Sequence, residues 1–474
     1  MTRRIATLRF TPADQRAFAR WSGDFNPVHL DPVAARLVAA GEPIVHGAHL
    51  LLSALNVRFD RRLADTDLML TVRFHRPALL GEQLDVIQID RNTTTIVAAG
   101  GTELVEIRVE RATPSDRDFS SAIPRANGSV RPPRAPRVMT IDDMMDASGS
   151  LPAPVSAGLR RAFPSAFRSF GSGLVGAVAG LSRLVGMECP GRDSLLSALT
   201  LRVRPHAAIS RLGWRVARVD RRFGLVRIDV DGDGVSGTVD AFVRPAPPAA
   251  PDFESVAALV RPGEFAGQRA LVVGGSRGLG AVAAMLVAAG SGAVLVTYSS
   301  GAAEAAALRR TAKALGRHFA TQHLDVLDAT AADLAKAAAR FKPTHLYYFA
   351  TPRIFGRRRD PFDIDLFQRF VSFYVTGFVR VCSAVAANSR PLRVFFPSST
   401  ALDEGARELV EYSAAKAAGE LACRGLDSAA ANLQITVERL PRVATGQTAS
   451  IVRARAADPC TVMLPIVRRL HASG

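Results

Sequence analysis

Lysine is almost missing from this chain. Lys313, Lys336, Lys342 and Lys416 are the only four among 60 basic residues in 474. The other 56 (60 minus 4) are arginines, and with abundant alanine the skew reads as codon bias of a GC-rich genome. The net charge of +17 therefore does not argue for nucleic acid: the arginines are dispersed and no basic motif is interleaved with aromatics. A basic surface would instead draw phosphate-bearing small molecules or an acidic carrier protein. Cysteine is also scarce. Cys189, Cys382, Cys423 and Cys460 have neither disulfide-framework nor metal-ligand spacing, so no metal is expected and a reducing cytosol fits. Long apolar runs are lacking too. The best candidate, residues 169–182, is uncharged but Gly-rich and 14 residues long, too short to cross a bilayer, so no membrane insertion is expected. Met1-Thr2-Arg3-Arg4 has no apolar stretch behind it, and no secretory signal is expected.

What is present is a globular composition, 48% hydrophobic and 22% charged, at a length that implies two or three domains. Pro-rich breaks at residues 112–136 and 244–251 divide it. The expected organisation is a first domain over 1–111, a linker over 112–150, a repeat of the first domain over 151–246, a second linker over 247–266 and a last domain over 267–474. The repeat rests on residues 50–59 matching 194–203 with six identities in ten at an offset of 144, which also carries Gly47 onto Gly191. In each copy a Gly opens an apolar helix, and alternating β-type segments follow (68–74, 83–89 and 104–109; then 214–219, 225–230 and 237–243). The last block alternates strand and helix, with strands at 270–274, 293–297, 345–349, 393–396 and 436–439. That pattern predicts a doubly wound parallel sheet.

Ser22-Gly23-Asp24-Phe25-Asn26-Pro27-Val28-His29 sets an acid and an imidazole five positions apart on a Gly- and Pro-bounded loop. Such a pair can hold one water between two proton-transfer groups, as adding water to an activated double bond requires. With Leu30-Asp31-Pro32 and Ile44-Val45-His46-Gly47-Ala48-His49-Leu50, the run resembles the signature of MaoC-like, (R)-specific enoyl-CoA hydratases. That resemblance implies a hot-dog fold, doubled here by the repeat. It implies Asp24 and His29 as the catalytic pair on a loop shaped by Asn26, and the Gly47 N–H as donor to the thioester carbonyl. His46 and His49 are expected to be structural or tunnel-lining. At the offset of 144 Asp24 falls on Arg168 and His29 on Gly173, so the second copy is expected to lack the acid and base and to line the acyl tunnel.

In the last block, Gly274-Gly275-Ser276-Arg277-Gly278-Leu279-Gly280 follows a strand and opens a helix, where a backbone can approach a pyrophosphate. Tyr412 and Lys416 share a helix face four residues apart, thirteen residues beyond Ser399. These motifs resemble the short-chain dehydrogenase/reductases. The resemblance implies Ser399, Tyr412 and Lys416 as catalytic residues. It implies a nucleotide site of Gly274, Ser276, Arg277, Gly278, Leu279, Gly280, Ser299 and Asp325 together with Tyr412 and Lys416. The second strand ends Tyr298-Ser299-Ser300 with no acid for a ribose 2′-hydroxyl, and Arg277 is available for a 2′-phosphate, which favours NADP(H) over NAD(H).

The chain departs from the family at several points. Val273 replaces the usual Thr and Tyr374 the usual Asn, and Phe349-Ala350-Thr351-Pro352 stands for Asn-Ala-Gly. Pro441-Arg442 stands for Pro-Gly, with Thr445 or Thr448 left for the nicotinamide amide, and little sequence remains for a seventh strand. The whole reads as an α+β double hot-dog region followed by an α/β Rossmann-type sheet. The expected function is a cytoplasmic enzyme pairing enoyl hydratase/3-hydroxyacyl dehydratase with 3-oxoacyl reductase on acyl-CoA or acyl-carrier-protein thioesters, and a homodimer is compatible with it. A hot-dog half working alone beside a scaffold, or a non-catalytic thioester-binding module, stay open as alternatives.

Overall fold

The computed structural model describes residues 2–35, 42–113, 123, 133, 135–244, 250–354, 362–387, 391–405, 409–446 and 456–472. Two compact units divide the chain, one built on residues 1–246 and the other on 247–449 and 454–474.

In the first unit, ten strands form one antiparallel sheet. They are β1 (Arg3–Leu8), β2 (Leu68–Phe74), β3 (Leu84–Gln88), β4 (Thr93–Ala98), β5 (Glu103–Arg111), β6 (Ser148–Pro152), β7 (Ser194–Val203), β8 (Arg211–Asp220), β9 (Leu225–Gly232) and β10 (Val235–Val243). Their order, β1-β3-β4-β5-β2-β7-β10-β9-β8-β6, reads the same from both ends once each half is numbered alone. The seam is the β2–β7 pair, running from Leu68 opposite Val203 to Arg73 opposite Ala198. Each half lays one helix on the sheet: Gly47–Arg58 in the first and Pro164–Arg183 in the second. Leu50, Leu51, Leu52, Ala54 and Leu55 of the former and Leu174, Val175, Ala177 and Val178 of the latter lie in one common core.

The duplication is there, but the alignment that suggested it is wrong. Residues 50–59 lie almost wholly in the Gly47–Arg58 helix, whereas 194–203 are strand β7, and Gly191 sits in the turn before it with φ 87°. The physical cause is shared composition: Leu, Ser and Ala suit a buried helix and a half-buried strand alike. The true counterpart of the first helix is Pro164–Arg183, so Arg168 and Gly173 are helical and do not stand where Asp24 and His29 stand. The second half connects β6 to its helix through little more than the Ala157–Ala162 turn, where the first half inserts the whole motif loop.

Both expected linkers also contain structure. The 112–150 stretch includes a short helix, Ile141–Met144, and the start of β6, so the second half begins before residue 151. The 247–266 stretch buries Phe253, Val256 and Phe265 in the core of the second unit. The central helix, extended by one π-turn to Pro164–Glu188, is long and apolar enough to cross a membrane but is mostly buried, and Ile364–Ala386 passes the same test of length and composition while less than half buried. The uncharged run 169–182 therefore understated the apolar helix that contains it.

The second unit is a six-stranded parallel sheet in the order β13-β12-β11-β14-β15-β16. Its strands are β11 (Arg269–Val273), β12 (Ala293–Tyr298), β13 (Phe319–His323), β14 (His345–Tyr348), β15 (Leu392–Ser399) and β16 (Leu433–Leu440). Alternate residues of β11 feed opposite cores, Ala270 and Val272 on one face and Leu271 and Val273 on the other. Among the described residues no seventh strand follows β16; Val443 bridges once to Ala457 before the Pro459–Ala472 helix. Strand order reverses between β11 and β14, and the crevice beyond their carboxyl ends is where such sheets bind ligands.

Candidate functional site

In the first unit, local chemistry aims the motif loop. The Pro12–Ser22 helix starts on a Thr11/Asp14 capping box and stops at Gly23, whose φ of 80° suits glycine. Asn26 accepts a hydrogen bond from the Val28 N–H at 3.1 Å, opening the Pro27–Leu30 turn. Its amide also donates to the Gly186 carbonyl at 2.9 Å, which ties the loop to the second half. Asp24 is buried, and its carboxylate accepts from the Asn26 N–H at 3.1 Å and from the Ser182 hydroxyl at 2.7 Å. His29 places Nδ1 2.8 Å from the Ile44 carbonyl, which puts the proton on Nδ1 and leaves Nε2 as an acceptor.

His46 joins them. Its ring stacks on His29 with centroids 3.8 Å apart, and its Nε2 lies 3.9 Å from the Asp24 carboxylate. Gln15 accepts from the His46 backbone N–H at 3.0 Å and from Nδ1 at 2.7 Å, fixing that ring too. His49 stacks on Phe18 at 4.6 Å, with the Gln15 amide 3.3 Å from its Nδ1. Gly47 begins the helix directly after His46, so its N–H belongs to the unpaired first turn at the positive end of the helix. A Cβ there would press on Phe74 at 3.1 Å and Leu196 at 3.2 Å. The nitrogen and oxygen atoms of Asp24, His29 and His46 come within 4.8 Å of one another, as do those of His75, Glu103 and Glu106, and either group could hold a cation. The expectation of no metal came from linear spacing, which cannot see such clusters.

Burial pushes the Asp24 carboxyl up, against the opposing pull of His29 and the Ser182 and Asn26 hydrogen bonds. Burial likewise pushes His29 down, against the attraction of Asp24. The two ordinary values are thus drawn toward one another, as proton exchange between them needs.

In the second unit, Gly274 follows β11 with φ 77°, and a Cβ there would meet the Ala350 nitrogen at 2.7 Å. The Gly274 and Gly275 N–H groups donate to the Thr297 carbonyl at 3.1 and 3.0 Å. Gly278 has φ 58° and opens the Gly278–Ala289 helix with Leu279, while a Cβ on Gly280 would fall 2.7 Å from the Gly274 oxygen. Ser276 is buried beneath this turn. Arg277 reaches Glu304 at 3.3 Å and the Ser300 hydroxyl at 3.5 Å, beside Ser299 at the end of β12. Asp325 accepts from the Leu327 N–H at 2.9 Å, shaping the loop after β13. The expected nucleotide residues therefore gather along the carboxyl edge of β11, β12 and β13.

Ser399 ends β15, and Tyr412 and Lys416 lie buried on the Val410–Ala429 helix that packs on it. Burial raises the Tyr412 hydroxyl pKa, against a hydrogen bond with Ser399. Lys416 donates to the Pro397 carbonyl at 2.5 Å, and burial brings its pKa down to about 7. Thr445 lies near Gly278. Thr448 lies outside the described residues.

Residues 2–107 match the MaoC-like domain family and residues 268–457 the short chain dehydrogenase family. A MaoC-like domain precedes a short-chain dehydrogenase domain. The chain is 53% identical over 47 residues to the (R)-specific enoyl-CoA hydratase of Aeromonas caviae, covering 10% of this chain and 34% of that protein. It is 39% identical over 75 residues to 3-hydroxyacyl-thioester dehydratase X of Mycobacterium tuberculosis, covering 16% and 26%. A 108-residue stretch, 21% of this chain and 18% of the relative, is 33% identical to peroxisomal multifunctional enzyme type 2 of Drosophila melanogaster. The matched stretches thus span about a third or less of these curated relatives. A solved short chain dehydrogenase from Burkholderia cenocepacia in complex with NADP superposes with a TM-score of 0.40 at 21% identity, over 44% of this chain and 91% of that one.

Sequence reasoning missed three groups around the MaoC-like site. Ser182 and Gly186 come from the second half, more than 150 residues from Asp24, and no local spacing links them to it. Gln15 was hidden in an amphipathic helix. The Ile-Val-His-Gly run did hold a signal for His46, since a histidine just before a buried helix N-terminus is placed to face whatever that terminus faces.

Proposed function

We propose that the chain is a two-site acyl-thioester enzyme. The MaoC-like domain interconverts a trans-2-enoyl and an (R)-3-hydroxyacyl thioester, and the dehydrogenase domain interconverts that hydroxy compound with the 3-oxoacyl thioester using NADP(H). The observation that supports this best is the pairing of a buried Asp24 with a half-buried His29 beside a helix N-terminus that begins at Gly47. Asp24 and His29 hold one water. As its oxygen bonds to C3, one of its protons passes to the pair and C2 receives a proton from the pair, so the sum is water across the double bond. Negative charge grows meanwhile on the thioester oxygen, where the Gly47 N–H would meet it. His46 and Gln15 orient the pair, while Asn26 and Ser182 hold the loop and the carboxylate.

In the second domain the Gly274–Gly280 turn can close tightly before its helix because a Cβ at Gly274 or Gly280 would strike neighbouring backbone, and a helix N-terminus reached by such a turn suits a pyrophosphate. Arg277 and Ser299 suit a 2′-phosphate, and Asp325 suits the adenine. NADPH, when bound, supplies the hydride. Tyr412 gives the proton to the forming alkoxide, Ser399 orients the carbonyl and Lys416 favours the tyrosinate. The substrates are CoA or carrier-protein thioesters, to which the basic surface is suited, and the buried free thiols suit a reducing cytoplasm.

The test follows crotonyl-CoA hydration and 3-oxoacyl-dependent NADPH oxidation in the same preparation. Tyr412→Phe is expected to lower the second about a hundredfold, leaving hydration as in the parent. Undiminished oxidation in that variant would refute the assignment. The pH profile gives a second check. Hydration needs an ionised carboxylate and a neutral imidazole, so kcat/KM should fall as pH drops between the ordinary imidazole value of about 6.5 and the ordinary carboxylate value of about 3.9. Ser182→Ala removes a hydrogen bond that holds the Asp24 carboxyl down. That acid limb should then move up by roughly half to one pH unit. A limb that stays in place would mean that Asp24 does not govern it.

A further inference from the structure

The Lys416 ammonium lies in surroundings that do little for a charge. It is 5% exposed and, among the described residues, makes one hydrogen bond, to the Pro397 carbonyl. Glu420, one turn on, is engaged by Arg439 at 2.8 Å. Aromatic faces enclose it instead: Tyr374 at 3.9 Å from the ring centroid, Phe396 at 4.7 Å and Tyr412 at 5.9 Å. A ring face attracts a desolvated cation strongly at these distances.

Tyr374 is the nearest of the three. Its hydroxyl meets the Thr351 hydroxyl at 2.5 Å, in the loop after β14. Its ring stacks on Phe370 at 5.8 Å and stands edge-on to Tyr412 at 5.7 Å. The backbone that places it is a π-turn, Ser372–Gly377, a distortion that often marks functional positions.

We propose that Tyr374 is the positioning residue of the dehydrogenase site, its ring face rather than its hydroxyl holding the Lys416 ammonium beside Tyr412. This rests on reading Tyr412 and Lys416 as the reducing pair, but its test does not need turnover. The groups that bear on Lys416 are Tyr374 from the π-turn, the Pro397 carbonyl and Phe396 from β15, and Tyr412, Glu420 and Cys423 from its own helix.

Scarcity of lysine makes the measurement direct. The full chain labelled with nitrogen-15 at lysine has four side-chain signals, three from the exposed Lys313, Lys336 and Lys342, and Lys416→Arg identifies the fourth. Tyr374→Phe should leave the Lys416 midpoint within about 0.3 pH unit of the parent, whereas Tyr374→Leu should lower it by about one pH unit. Because Leu opens space in a core, pentafluorophenylalanine at 374 provides a ring of similar shape with reversed face charge, and it should lower the midpoint as Leu does.

An unchanged midpoint with the fluorinated ring would overturn the proposal, as would a Phe variant that shifts as far as Leu. A parent chain with the expected titrations but no NADPH oxidation would instead reject the reductase reading and leave the positioning role standing.

Discussion

Asp24→Asn removes crotonyl-CoA hydration, about ten-thousand-fold, without unfolding the protein. The amide has the size of the carboxylate and can still accept from Ser182, so packing is conserved. What goes is the group that exchanges a proton with water, and loss of one such group costs between about a hundredfold and ten-thousand-fold. The upper end applies here because the site is buried and bulk water cannot substitute readily for the missing base. Stability moves the other way: burial already disfavours the charge on Asp24, so an uncharged isostere should match or raise the thermal midpoint. A melting curve beside the loss of enoyl absorbance separates the two effects. Hydration within tenfold of the parent would show that the chemistry lies elsewhere.

Gly186→Ala should cost about a thousandfold in the same assay, although residue 186 belongs to the half of the sheet that does not carry Asp24 and His29. A Cβ at this position would collide with the Asp24 carboxylate and come within 2.7 Å of its Cγ. The Gly186 carbonyl also receives the Asn26 amide at 2.9 Å, so the strain reaches both anchors of the loop. A carboxylate displaced by about an ångström loses about a hundredfold from misplacement alone, and the weakened Asn26 tie accounts for the remainder. NADPH oxidation by the other domain is the internal control and should be unchanged. Full hydration in this variant would mean that the loop relaxes around the methyl group, and that the close approach of the two halves does not matter to the chemistry.

The local motifs were legible in the sequence because their geometry is local. Asp24 and His29 are set by one glycine stop and one Asn-Pro turn, and the Gly274–Gly280 turn by three residues that must lack a side chain. Strand β13 was not legible, since at the sheet edge Phe319–His323 buries little and shows no apolar signal. The partners Ser182 and Gly186 were not legible either. The helix holding Ser182 reads as plain apolar core, and the π-turn that brings Gly186 to the carboxylate has no spacing signature. Tyr374 showed in sequence only as a departure from a family pattern. Its place above an ammonium needed the fold.

The β2–β7 seam has a consequence for how this chain can change over time. A duplicated half that did not touch the Asp24 loop would be free to drift, tolerating any substitution that keeps the sheet and helix intact. Here that half supplies the hydroxyl at 182 and the bare backbone at 186 to the Asp24 carboxylate of the other copy. Selection on the placement of that carboxylate would therefore be felt directly in the second copy. The second half is bound to its sister as a bearing is to a shaft, and neither can be redesigned or exchanged for a relative's without refitting the other.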